Sequence, residues 1–147
     1  MLAVAMGCIA LLVATSVIHY ETLALLSLKL AGLPVQPRLK VMTVVFATFA
    51  AHALQILLYA FAYYFLVDRF GDTVLHGLGG PSLLNCIYFS AETFTSLGYG
   101  DILPVGPPRL LVGAEALNGL LLIGWSASYF FVAMERFWEP AKRSRES

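Results

Sequence analysis

The sequence predicts an all-α membrane protein, with three transmembrane helices and a fourth, shorter helix that enters the bilayer and returns. Three observations carry this expectation. The 147 residues are 59% hydrophobic and only 12% charged, with a mean hydropathy of +0.79, whereas soluble domains hold about 45–50% apolar and about 25% charged residues. Three runs reach the roughly 20 apolar residues that a hydrocarbon core of about 30 Å requires. Between the second and the third lies an apolar stretch too short to cross, followed by the run Thr95-Ser96-Leu97-Gly98-Tyr99-Gly100-Asp101.

The first run, Leu2 to Ile18, holds no charge, and apolar character resumes after His19-Tyr20-Glu21 as far as Leu30. It predicts a helix longer than the membrane is thick. A basic n-region and a convincing small-residue cleavage site are both missing, so the helix is expected to be retained rather than removed as a signal. With the loop that follows, it makes up residues 1–40. The second helix is expected over about 41–67, where the sequence is uncharged and His52 and Gln55 are the main polar interruptions. An outward segment, 68–80, leads to the short helix at 81–94, whose 14 residues would span about 21 Å. Pro81 suits a first helical position, where a missing N–H is no loss, and Gly98 and Gly100 favour other backbone angles and end the helix. The third crossing, 109–136, contains one charge between Leu110 and Met134, Glu115, and a basic tail occupies 137–147.

Nine basic and nine acidic residues balance, so nothing points to nucleic acid as a partner. Cys8 and Cys86 have no metal-type spacing and read as buried, reduced thiols. Orientation follows from the basic residues of the short loops. Lys29, Arg38 and Lys40 between the first two helices, and Arg136, Lys142, Arg143 and Arg145 after the third, fall on one side, while Arg69 and Arg109 fall on the other. This predicts a multi-pass protein of the plasma membrane, or of the inner membrane in a bacterium, with a cytoplasmic C-terminus.

Backbone that is neither helical nor sheet-paired is tolerated at membrane depth only where it is buried in protein or lines a water-filled cavity. A half-length helix followed by such backbone is therefore a candidate ion path. Gly98 and Gly100 permit a strand that alternates in hand and aims successive carbonyl oxygens to one side. The C-terminal end of the short helix adds partial negative charge favourable to a cation.

The run Thr95-Ser96-Leu97-Gly98-Tyr99-Gly100-Asp101 resembles the potassium-channel selectivity-filter signature, and over about residues 41–136 the order of outer helix, re-entrant pore helix, filter and inner helix is similar to the pore domain of that superfamily. The resemblance implies a homotetramer, since each chain offers one filter. It implies a passive potassium channel, not an enzyme, with no cofactor beyond permeant K+. The filter would be 95–101, with ion-coordinating oxygens from Thr95, Ser96, Leu97, Gly98, Tyr99 and Gly100, and K+ held at Ser96, Leu97, Gly98 and Tyr99. Tyr99 would point away from the axis and brace the filter together with Tyr88 and Phe89. Glu92 matches a pore-helix glutamate that in some relatives shares a proton with the aspartate after the filter, here Asp101. Ser96 and Leu97 replace the usual threonine and the usual valine or isoleucine. A weakly selective cation pore, or a non-conducting subunit that keeps the pore fold, stays open beside the selective channel.

On the inner helix the resemblance places Leu120, Ile123 and Ala127 toward the cavity, where an apolar ring can gate by dewetting. Gly119 and Gly124 read either as a gating hinge or as close packing sites. His19, Glu21 and His52 read either as a proton-sensing cluster or as interfacial and inter-helix hydrogen bonding. Arg136, Lys142, Arg143 and Arg145 beside Trp138 read either as a contact for anionic lipid or as ordinary positive-inside charge. Arginine at every third position is absent, which argues against an intrinsic voltage sensor. H-E-x-x-H is absent too, and Ser96 has no base nearby in sequence, which argues against an intramembrane enzyme.

Overall fold

The computed structural model describes the backbone of residues 2–71, 74–77 and 82–146, and the side chains of residues 4–71, 74–77 and 82–137. The elements are α1 (Leu2–Ala31), α2 (Pro37–Phe70), β1 (Leu75–His76), α3 (Leu83–Phe94), β2 (Leu103–Pro104) and α4 (Pro108–Glu146). Helices α1, α2 and α4 each contain a span long and apolar enough to cross a membrane, Val4–Ala31, Pro37–Phe70 and Pro108–Phe137. The molecule is thus an all-α membrane protein, with the 12-residue α3 folded back between α2 and α4.

Helix α1 runs unbroken through His19-Tyr20-Glu21, with His19 buried against the other helices and Tyr20 and Glu21 exposed. Helix α2 starts at Pro37, earlier than residue 41, since Pro37 stands at the head of the helix where its missing N–H is harmless. Arg38 and Lys40 therefore sit in the first turn of α2 and not in a loop. Gly71, at φ 71°, caps the far end by donating its N–H to the Val67 carbonyl. Helix α3 begins at Leu83 after Ser82, and the expected first turn at Pro81 lies outside the described residues. Helix α4 continues to Glu146, so the basic tail extends the inner helix.

One element was not foreseen. Strands β1 and β2 pair antiparallel, Leu75 with Pro104 and His76 with Leu103, and the Val105 N–H donates to the Val74 carbonyl at 2.9 Å. They clamp the segment after α2 onto the chain that follows residues 95–101. Gly77 permits the approach, since at φ 102° a Cβ there would lie 2.1 Å from the Asp101 carbonyl oxygen.

Burial follows membrane rules. Phe46, Phe49, Phe61 and Phe65 of α2 face outward, where lipid tails receive them as readily as leucine would. The main core, Tyr59, Tyr63, Phe89, Phe94, Leu111 and Leu122, lies where α2, α3 and α4 meet, with Cys8 of α1 against it. A second cluster, Leu30, Val44, Ala133 and Phe137, closes the opposite end of the bundle. Among the described residues no buried side-chain nitrogen or oxygen lacks a hydrogen-bond partner, which matters because an unsatisfied group in hydrocarbon costs several kcal/mol.

Candidate ion pathway

Residues 95–101, the candidate filter, grow directly out of the end of α3. Thr95 caps the helix, donating its N–H to the Ala91 carbonyl, and the Ser96 N–H turns to the Thr93 carbonyl. Glu92 then gathers three successive donors. Its carbonyl accepts from Leu97 N–H at 2.8 Å and Gly98 N–H at 3.3 Å, and its carboxylate accepts from Tyr99 N–H at 3.2 Å.

The backbone alternates in hand along this stretch. Ser96, Gly98 and Gly100 have φ of 58°, 55° and 82°, while Leu97 and Tyr99 between them stay at negative φ. A left-handed residue disfavours most side chains, which explains the two glycines, and Ser96 is the non-glycine exception. A chain that alternates in this way collects its N–H groups on one side, here toward Glu92. Its carbonyl oxygens are thereby presented to the other side. Residues 95–100 are exposed on the single chain, although they leave the end of a buried helix.

Tyr88 and Tyr99 stack with ring centroids 6.4 Å apart and planes 3° from parallel. The Tyr88 hydroxyl donates to Asp101 at 3.0 Å. Desolvation, and then the Asp101 carboxylate, push that hydroxyl up to about 12, so it remains a donor throughout the physiological range. Phe89 does not join this brace. It lies buried, edge-on to Tyr63 of α2 at 5.0 Å, because α3 turns the two adjacent side chains about 100° apart. Nor do Glu92 and Asp101 share a proton here: Glu92 holds Tyr99 N–H, whereas Asp101 holds Tyr88 and the Ile102 N–H.

On α4, Leu120, Ile123 and Ala127 lie on the face turned away from α1, α2 and α3 and are exposed on the single chain. Gly119 lies on the buried face, and a Cβ there would stand 2.0 Å from the Phe94 carbonyl oxygen. Its lack of a side chain lets the inner helix touch the end of the pore helix. Gly124 has nothing within 4 Å of a Cβ position.

His19 and His52 come together, ring centroids 5.1 Å apart, both within hydrogen-bond distance of Ser126. Glu21 is exposed and stands outside that cluster. Arg136 is exposed, whereas the side chains of Lys142, Arg143 and Arg145 lie outside the described residues. Beside Glu115, the one charge of the third crossing, several polar residues not singled out from the sequence, Tyr63, Ser90, Asn118 and Thr15, prove central. Glu115 is buried and accepts from Tyr63 of α2 and Ser90 of α3, each at 2.5 Å. Asn118 donates to Thr15 of α1 and to Tyr59 of α2. The signal available for them was a polar residue on a membrane helix, which must face protein.

A family model described as an ion channel matches residues 51–136, more than half of the chain, from within α2 through the pore helix and filter to the end of the membrane span of α4. The inward rectifier potassium channel Kirbac3.1 of Paramagnetospirillum magnetotacticum is 34% identical over 67 residues, 45% of this chain but only 22% of that protein. The chain thus aligns with about a fifth of that relative's length. No solved structure matches. With outer helix, pore helix, filter segment and inner helix in this order and contact, the chain belongs to the ion channel family, built on the potassium-channel type of pore domain.

Proposed function

We propose that four copies of the chain surround a pore and conduct K+ passively and selectively across the membrane. The observation that carries this is the alternation of hand at Ser96, Gly98 and Gly100, with the intervening donors bound by Glu92. Such a strand offers a ladder of carbonyl oxygens, and rings of carbonyls from several chains replace the hydration shell of a dehydrated cation. One chain supplies only one side of that cage. Irregular backbone exposed at membrane depth is untenable against lipid, so these oxygens must face water, ions and neighbouring copies. Leu120, Ile123 and Ala127, on the outward face of α4, then line the cavity below the filter. The basic residues around the start of α2 and along the C-terminal end of α4 favour a cytoplasmic C-terminus, where the helical extension with Lys142, Arg143 and Arg145 would lie near anionic lipid.

Reversal potentials of the purified protein in bilayers, under opposed K+ and Na+ gradients, test the reading. A potential near the K+ equilibrium value is expected. A potential near zero would identify a weakly selective cation pore, the outcome that Ser96 in place of threonine favours. Absence of current would leave a non-conducting subunit.

A further inference from the structure

The seam where α1 meets α2 and α4 holds polar groups that the ion pathway does not use. Gln55 Nε2 lies 3.3 Å from the Thr15 carbonyl oxygen and 3.3 Å from His19 Nδ1, and Gln55 Oε1 lies 3.0 Å from His52 Nδ1. Ser126 Oγ is 3.0 Å from His52 Nε2, 3.2 Å from His19 Nε2 and 3.0 Å from the Leu122 carbonyl oxygen. His19, Gln55 and Ser126 are buried and His52 is half-buried.

Donor and acceptor types determine nearly every proton in this set. The Thr15 carbonyl only accepts, so the amide nitrogen of Gln55 faces it and the amide oxygen faces His52. The same nitrogen donates to His19 Nδ1, which makes His19 a neutral imidazole with its proton on Nε2, directed at Ser126 Oγ. His52 Nδ1 carries a proton and gives it to Gln55 Oε1. A single choice remains: the Ser126 hydroxyl proton has two acceptors in reach, His52 Nε2 and the Leu122 carbonyl.

We propose that His52 is a proton-binding switch between the first helix and the ion pathway. With His52 neutral, Ser126 donates to its Nε2. When His52 takes a proton at Nε2, that N–H donates to Ser126 Oγ and the hydroxyl turns back to the Leu122 carbonyl. Every donor stays matched in both states. His19 has no such second state, because a proton on its Nδ1 would oppose the Gln55 N–H.

The added charge meets no free carboxylate. From α1 it faces His19, and within α2 its partner is the neutral Gln55. From α3 it faces the Phe94 ring edge at 5.6 Å, while the Glu92 carboxylate is turned to Tyr99 N–H. From α4 it faces Ser126, and the Glu115 carboxylate is held by Tyr63 and Ser90. Phe94 ends the pore helix, so a cation at His52 offsets the partial negative charge that this helix end offers to a permeant cation. Acid therefore lowers conduction. This coupling rests on the channel reading, whereas the proton site does not.

Ring 15N NMR of the histidine-labelled protein in liposomes, taken from about pH 8 to about pH 5, reads the site directly. His19→Gln, His52→Gln and His76→Gln assign the signals. The expected result is a doubly protonated His52 at acid pH beside a His19 that keeps its Nε2–H tautomer. Titration of His19 instead, or of neither ring, overturns the switch. In K+ flux from the same liposomes, acid should lower the wild-type rate several-fold, His52→Gln should be flat, and His19→Gln should still respond. A pH response that survives in His52→Gln, or a wild-type rate that is constant or rises in acid, overturns the coupling. No K+ flux at any pH fails the channel reading and the coupling with it, and the NMR result still decides the proton site.

Discussion

At Gly98 and Gly100 a Cβ would meet nothing within 4 Å, yet φ of 55° and 82° disfavours a side chain, with Ser96 the one residue of the run that bears one at such an angle. Alanine at Gly98 fits the space and fails on the backbone, at about 1–2 kcal/mol per chain. In a fourfold pore that becomes roughly 4–8 kcal/mol, enough to turn a peptide plane out of line. Gly98→Ala is expected to abolish K+ flux while the circular dichroism of the helices stays at the wild-type level. Glu92 acts differently, through the donors it collects. Glu92→Ala leaves the Tyr99 N–H without its acceptor, a penalty of about 1–3 kcal/mol, whereas Glu92→Gln keeps a carbonyl oxygen in place. Liposome flux should therefore fall about tenfold or more in the alanine variant and far less in the glutamine variant. The two glycines were legible because only glycine takes such angles freely. The grip of Glu92 on Tyr99 was not, because a bond across seven residues depends on how the chain turns after the helix ends.

Between elements, contact of α4 with α3 depends on Gly119. A methyl group there would overlap the Phe94 carbonyl, and overpacking of this kind costs about 1–3 kcal/mol. Alanine at Gly124 meets no neighbour and gains up to about 1 kcal/mol of helix propensity. Thermal unfolding in detergent should rank Gly119→Ala below the wild type and Gly124→Ala at or above it. If instead Gly119→Ala leaves stability unchanged and alters only gating, Gly119 is a hinge rather than a contact. Glu115 makes the second tie, joining α4 to α2 and α3 through Tyr63 and Ser90. Glu115→Ala strands the Tyr63 hydroxyl, whereas the Ser90 hydroxyl keeps the Ile56 carbonyl as acceptor, and is expected to destabilise by about 1–3 kcal/mol. The helices themselves were legible from apolar run length. Their early starts and late ends were not, because Pro37 and the basic end of α4 are compatible with helix although they are not greasy. Phe89 was misplaced for a related reason: its packing on Tyr63 depends on the rotation of α3, which neighbouring helices impose.

At the scale of the whole molecule, a chain that exposes residues 95–100 and the Leu120, Ile123 and Ala127 face would, on the proposed channel function, be completed by further copies. One filter-like run per chain is legible in the sequence, whereas the neighbours that would close a cage belong to other copies, so their number was not. An ion bound between copies is also a bond between copies. A ligand that binds only the assembled state stabilises it by RT ln(1 + [L]/Kd), about 2.7 kcal/mol at a hundredfold excess over Kd. Native mass spectrometry is expected to give four chains per particle, and the temperature at which that particle dissociates should rise with K+ concentration. Na+ should raise it much less if the carbonyl cage prefers the larger ion. Gly98→Ala should remove the K+ dependence, because the added oxygens no longer converge. A dissociation temperature indifferent to K+ in the wild-type protein would mean that residues 96–100 do not gather around a shared ion, whatever the number of chains in the particle.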